Sequence, residues 1–194
     1  MYHLGPLSYP GPNRTEPIMS YEILAERPDD AAHIDLLLDL TFGFERQQKT
    51  VYSLRDGIAP VPGLCFSAVA PNDGLLGTLR FWPIDIAGQA PAILLGPLAV
   101  EPALQGAGIG RTLVRHGLAE AKRLGEGICV VVGAPAYYAP FGFVNAGLAG
   151  LLMPGPVEAE RFQVLEIVPD ALQDVSGMIR WAEPFATAES LRRA

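Results

Sequence analysis

The stretch that decides the fold is L-Q-G-A-G-I-G-R-T-L, residues 104–113. An apolar run from Ala92 to Val100 leads into it, and an amphipathic pattern from Ile109 to Leu124 leads out. Strand, glycine turn and helix start together offer bare backbone N–H groups to a phosphate, aided by the positive end of the helix dipole. Three glycines in five residues weaken a helix start by up to about 1 kcal/mol each. That cost makes sense where a ligand must approach the backbone closely.

Spacing narrows the kind of phosphate. A dinucleotide fingerprint needs G-x-G-x-x-G, but the sixth position is Arg111 counted from Gly106 and Leu113 counted from Gly108. A P-loop needs four residues between its glycines and then lysine, whereas Gly106 and Gly110 enclose three and Arg111 follows. What remains is Q-x-x-G-x-G, carried by Gln105, Gly108 and Gly110.

Working outward, Ile109, Leu113, Val114, Leu118, Ala121 and Leu124 recur at spacings of three and four, one core stripe on a helix, with Gly125 as its cap. G-I-C-V-V-V-G, residues 127–133, reads as a buried strand. Strand, helix, strand in this order implies a parallel pair with a right-handed crossover. The earlier strand, Ile93–Val100, is apolar throughout and so is expected to be buried on both faces, with a bulge at Gly96-Pro97. Leu64–Ala70 and Leu75–Ile86 form a hairpin across Pro71-Asn72-Asp73-Gly74, and Pro83 predicts a bulge or an edge position in the second strand.

At the start, Tyr21–Ala25 reads as a strand. A helix follows from Pro28-Asp29-Asp30 to about Phe42, with Ile34, Leu37, Leu38 and Thr41 facing inward, and a second helix is expected over Glu45–Asp56. At the end, Pro135–Phe143 gives a helical turn and a new strand. Further strands are expected at Phe162–Val168 and Met178–Trp181, with a short helix at Pro169–Asp174. The fold class is therefore α/β, a mixed sheet with helices on both faces. Residues 1–19 hold four prolines and two glycines and are expected to form a flexible arm, with 20–194 as a single domain.

A net charge of −7 argues against nucleic acid and anionic membrane as partners. No apolar run reaches the length of a membrane span, and no basic start precedes an apolar stretch, so a cytoplasmic setting is expected. Cys65 and Cys129 sit far apart inside apolar runs and read as buried thiols. The three histidines are scattered, so no metal is expected.

Q-x-x-G-x-G resembles the pyrophosphate motif of the GNAT superfamily of acetyl-CoA-dependent N-acyltransferases. L-G-P-L-A-V-E-P resembles that family's fourth strand, I-C-V-V-V-G its fifth, and Y-Y-A-P-F-G-F its tyrosine motif, so about residues 92–145 match motif by motif. The resemblance implies splayed parallel strands 4 and 5 and acetyl-CoA as co-substrate. It implies that Leu98, Ala99 and Val100 pair their backbone with the pantetheine arm. It also implies that N–H groups of Gln105, Gly106, Ala107, Gly108, Ile109 and Gly110 face the pyrophosphate, with Arg111 and Thr112 adding hydrogen bonds. A strand N–H, turned by the bulge, would polarise the thioester carbonyl.

Tyr138 falls at the place of the general acid, its phenol of ordinary pKa about 10 giving a proton to a thiolate of about 8.5. Tyr137 reads as packing. The implied reaction is acetyl transfer to a primary amine by direct attack. The alternative is a non-catalytic acyl-CoA binding or sensing domain of the same fold. No base is evident, since Glu101 and Asp85 both read as solvated carboxylates. Ala134-Pro135 follows strand 5 where relatives often carry polar side chains, so no side-chain hydrogen bond comes from position 134. The acceptor is expected to be a small-molecule or peptide amine, with the acidic surface favouring a cationic one, and a homodimer is compatible with the pattern.

Overall fold

The computed structural model describes residues 20–48 and 50–182, so the arm expected over 1–19 lies outside the described residues. The chain runs β1 (Glu22–Ala25), α1 (Ala31–Phe42), α2 (Thr50–Ser53), β2 (Cys65–Val69), β3 (Leu75–Ile86), β4 (Ala90–Val100), α3 (Ile109–Arg123) and β5 (Ile128–Val132). It continues through α4 (Pro135–Tyr138), β6 (Val144–Asn145), β7 (Leu151–Leu152), β8 (Phe162–Glu166) and β9 (Gly177–Trp181). The sheet order is β1-β2-β3-β4-β5-β8-β6, with β9 joining β3 to β7. All pairs in the main path are antiparallel except β4 with β5.

Both faces of β4 are buried, as its composition predicts. Ile93 and Leu95 pack with Leu113 and Val114 of α3, whereas Ala92 and Leu94 pack with Ile128, Val130 and Ile179 on the other face. On α3, Ile109, Leu113, Val114 and Ala121 are buried and Leu118 is partly so, but Leu124 is exposed because the helix ends at Arg123. Gly117 completes that face. A Cβ there would lie 2.6 Å from Phe81 Cε2 and 3.0 Å from Leu79 Cδ2, so α3 rests directly on the sheet. Gly117→Ala gains helix propensity of about 1 kcal/mol but overpacks by about 1–3 kcal/mol, so a lower melting temperature is expected in thermal denaturation.

The bulge is where the sequence placed it. Leu79 pairs with Leu98, yet Phe81 pairs with Leu95, so Gly96 and Pro97 together oppose Arg80. Pro83, by contrast, stands opposite Ile93 in regular register. It lies where the far side of β3 passes from β2, ending at Arg80, to β9, beginning at Ile84, so its missing N–H costs no ladder bond. The segment expected as a second helix is broken into a 3-10 turn, Phe44–Gln48, and the single turn α2. Residues 169–174 form turns rather than a helix, with Asp170 and Asp174 at positive φ. No helix among the described residues is long and apolar enough to cross a membrane.

Candidate active site

β4 and β5 pair only at Ile93 with Cys129 and at Leu94 with Val130. Beyond those residues they part. The bulge decides what β4 shows to the gap. Glu101 N–H donates to Leu76 C=O, so Ala99, two residues back on a regular strand, also turns its backbone to β3. Leu98 and Val100 therefore present their N–H and C=O to the gap. Of the three residues expected to pair with a ligand arm, Ala99 contributes only its buried side chain, against α1.

The glycine turn follows directly. Gly106 and Gly108 adopt left-handed backbone, φ +89° and +91°, and Gly108 opens α3. Gln105 N–H donates to Pro102 C=O and Ala107 N–H to Leu104 C=O. The N–H groups of Gly106, Gly108, Ile109, Gly110 and Arg111 have no acceptor among the described residues, the last three being the unpaired first turn of α3. Five free donors around one helix end fit a diphosphate. Gln105 Nε2 donates to Val100 C=O at 3.3 Å and ties the turn to the strand. Thr112 is committed differently: its hydroxyl lies 3.3 Å from Gly108 C=O, as donor, and accepts from Tyr21 Oη at 2.9 Å. Arg111 is exposed and has no ion pair among the described residues.

The gap opens into a cavity of about 1020 Å³ between Leu95–Leu98 on one wall and Val131–Gly133 on the other. Tyr138, 7% exposed, stands at its side. Its ring lies edge-on to Tyr137 at 5.0 Å and Phe143 at 5.5 Å. It also lies against Gly133, where any Cβ would overlap Cε2 and sit 2.8 Å from Cδ2. Gly133 cannot yield, because its N–H donates to Arg161 C=O at 2.9 Å and its C=O accepts from Gln163 Nε2 at 2.9 Å. Burial pushes the Tyr138 phenol well above the ordinary value, so it stays protonated. The Tyr137 hydroxyl reaches the other way, 2.6 Å from where a Cβ on Gly110 would be, and closes the turn from above.

The two carboxylates weighed as bases are elsewhere. Asp85 accepts from Gly88 N–H at the opposite end of β4, and Glu101 does not line the cavity, its partly buried carboxyl held above its usual pKa by desolvation. Glu158 is the one carboxylate on the cavity wall among the described residues, with Arg161 beside it in that outer wall. The thiols are out of play: burial raises Cys65 to about 11 and Cys129 further.

The far wall comes from the segment that periodicity could not read. Arg46, buried, donates to Asp39 at 2.7 Å and reaches Asp35 and the Tyr52 hydroxyl at 3.4 Å, pinning the 44–55 segment to α1. Thr50 Oγ1 donates to Pro156 C=O at 2.7 Å, so this segment meets the 153–161 loop and the wall is continuous. Arg55 stands in it, against the Tyr52 ring at 5.0 Å, and burial lowers its pKa to about 10.

Known proteins share both the sequence and the geometry. The family model described as an acetyltransferase (GNAT) domain matches residues 62–145. The uncharacterised N-acetyltransferase YhbS of Escherichia coli K12 is 35% identical over 167 residues, covering 84% of this chain and 97% of the relative. YjhQ of the same organism, another uncharacterised N-acetyltransferase, is 32% identical over 168 residues, covering 81% and 90%. The crystal structure of Escherichia coli YhbS in complex with CoA superposes with a TM-score of 0.75 at 33% identity, covering 88% of this chain and 94% of that one. A GNAT acetyltransferase from Brucella melitensis in complex with acetyl-CoA gives 0.61 at 33% identity, covering 77% and 90%.

Proposed function

Since the chain belongs to the GNAT acetyltransferase family and is an acyltransferase, we propose that it moves an acetyl group from acetyl-CoA to a primary amine by direct attack on the thioester. The observation that carries this reading is the open edge of β4, bounded by five free N–H groups at one end and the protonated Tyr138 at the side. Acetyl-CoA supplies the activated acyl group. The chain's own residues do the rest.

Gly106, Gly108, Ile109, Gly110 and Arg111 donate N–H groups to the pyrophosphate, and the Arg111 guanidinium adds charge. Leu98 and Val100 hydrogen-bond along the pantetheine arm, as one more strand would. That registers the thioester at the bulge, where the Leu98 N–H points to the carbonyl oxygen. Tyr138 donates its proton to the departing sulfur. Leu95, Pro97, Val131 and Tyr52 give the cavity apolar walls. The amine arrives from the side of Arg55 and Glu158.

A thiol-release assay with acetyl-CoA and a panel of amines tests this directly. Turnover on at least one amine is expected, and tight CoA binding with no turnover on any would overturn it. A second result is expected from Arg111→Ala: loss of one charge-assisted contact should weaken acetyl-CoA binding roughly tenfold at low salt. Because the group is exposed, calorimetric titration at rising ionic strength should see that difference shrink.

A further inference from the structure

We propose that the acceptor is a primary amine that also carries an oxyanion, a carboxylate or phosphate, and that Arg55 with Trp82 receives that oxyanion. This rests on the acetyltransferase reading above and names the class of its second substrate.

Three cations cluster behind β4, and two are already neutralised. Arg80 makes a two-pronged pair with Glu26 at 2.6 and 2.7 Å, and Arg46 holds Asp39 and Asp35. Arg55 has no carboxylate partner among the described residues. Its contacts are two aromatic rings, Tyr52 at 5.0 Å and Trp82 at 5.9 Å, and its Nε is enclosed with no acceptor. The Trp82 Nε1 is likewise enclosed with no acceptor. Buried donors are nearly always satisfied, and each one left bare is costly. The two bare donors belong to one contacting pair, the Arg55 guanidinium carbon lying 5.9 Å from the Trp82 ring centre, and the charge that no carboxylate balances calls for an anionic acceptor. A guanidinium fork suits a planar or tetrahedral oxyanion.

Position connects this pair to the reaction. Arg55 lines both the large cavity and an adjoining one of about 560 Å³ that Trp82 also borders. Its Nη2 lies 3.2 Å from where a Cβ on Gly96 would be, so the guanidinium sits against the bulge that registers the thioester. An oxyanion held there leaves the amine of a short molecule at the open end of β4. The same charge repels polyamines, against the pull of the acidic surface.

The test compares matched amines in the thiol-release assay with the full chain and saturating acetyl-CoA. β-Alanine and 2-aminoethyl phosphate are set against ethylamine and spermidine, and Arg55→Met and Arg55→Lys are run beside the parent. The parent should favour one of the anionic amines over ethylamine by on the order of 100-fold in kcat/KM. Which one it favours tells carboxylate from phosphate. Both variants should collapse that ratio, Lys less than Met, and Arg55→Met should melt no lower than the parent, because it removes a buried charge that has no carboxylate partner. Equal or better turnover of ethylamine or spermidine by the parent overturns the inference and leaves the acetyltransferase reading standing. So does an unchanged ratio in the folded variants, or a fall in melting temperature of several degrees in both, which would make Arg55 a structural residue. CoA binding without turnover on any amine overturns both readings.

Discussion

Tyr138→Phe is expected to lower kcat by at least about a hundredfold while acetyl-CoA affinity changes by less than about threefold. The ring is the structural part of this residue: it packs on Gly133, Tyr137 and Phe143, and phenylalanine keeps all of those contacts. What is removed is one hydroxyl, with no protein hydrogen bond to lose among the described residues. Without it the sulfur must leave as a bare thiolate. The acid is matched to that setting, since burial raises the proton affinity of phenol and thiolate together. An acid acts from its protonated form, which persists at every pH below its pKa, and here that pKa is raised. The parent should therefore show no loss of activity attributable to Tyr138 between about pH 8 and 10, only the rise that comes from deprotonating the amine. A Phe variant with parental kcat across that range would remove Tyr138 from the reaction.

The second large effect is expected from a residue with no side chain to offer the reaction. In Gly133→Ala the new methyl overlaps the Tyr138 ring, and the backbone at 133 is clamped by Arg161 C=O and Gln163 Nε2. The ring must move. Overpacking should cost about 1–3 kcal/mol of stability, and a displacement of about 1 Å at the acid should cost on the order of 100-fold in kcat. Denaturant unfolding and kcat measured on the same preparation check the pair. The double variant with Tyr138→Phe is the sharper test: its kcat should fall little below that of Tyr138→Phe alone, because both changes remove the same proton donor. Additive losses would mean that Gly133 acts through something else.

The half of the molecule that we assign to the acyl donor was legible because its constraints are local. Glycines at 106, 108 and 110, the stripe on α3 and the apolar runs of β4 and β5 each have one physical explanation, and they agree with one another. The Gly96-Pro97 bulge was legible for the same reason. Its consequence was not: which of Leu98, Ala99 and Val100 faces the gap depends on counting register across β3. The half that we propose for the acceptor was opaque. Residues 44–56 are polar, and their shape is set by Arg46 reaching back to α1, a tertiary contact that overrides local helix preference. Arg55 in that stretch belongs to no motif. Only the fold brings Tyr52, Trp82 and Gly96 around it. The same holds for Gln163, distant in the chain from the glycine that it clamps.

β8 carries a consequence for anyone who would trim this protein. It lies between β5 and β6, bonding Ile128–Val132 on one side and Val144–Asn145 on the other. The stretch matched as the family's domain ends at residue 145, before β8 begins. Cut there, the chain would keep every motif that announces its chemistry and lose the strand that finishes its sheet. β5 would become a bare apolar edge, β6 would have no partner, and such edges stick to one another. The recognisable segment is thus a signature and not a foldable unit; a minimal expression fragment has to run past Glu166.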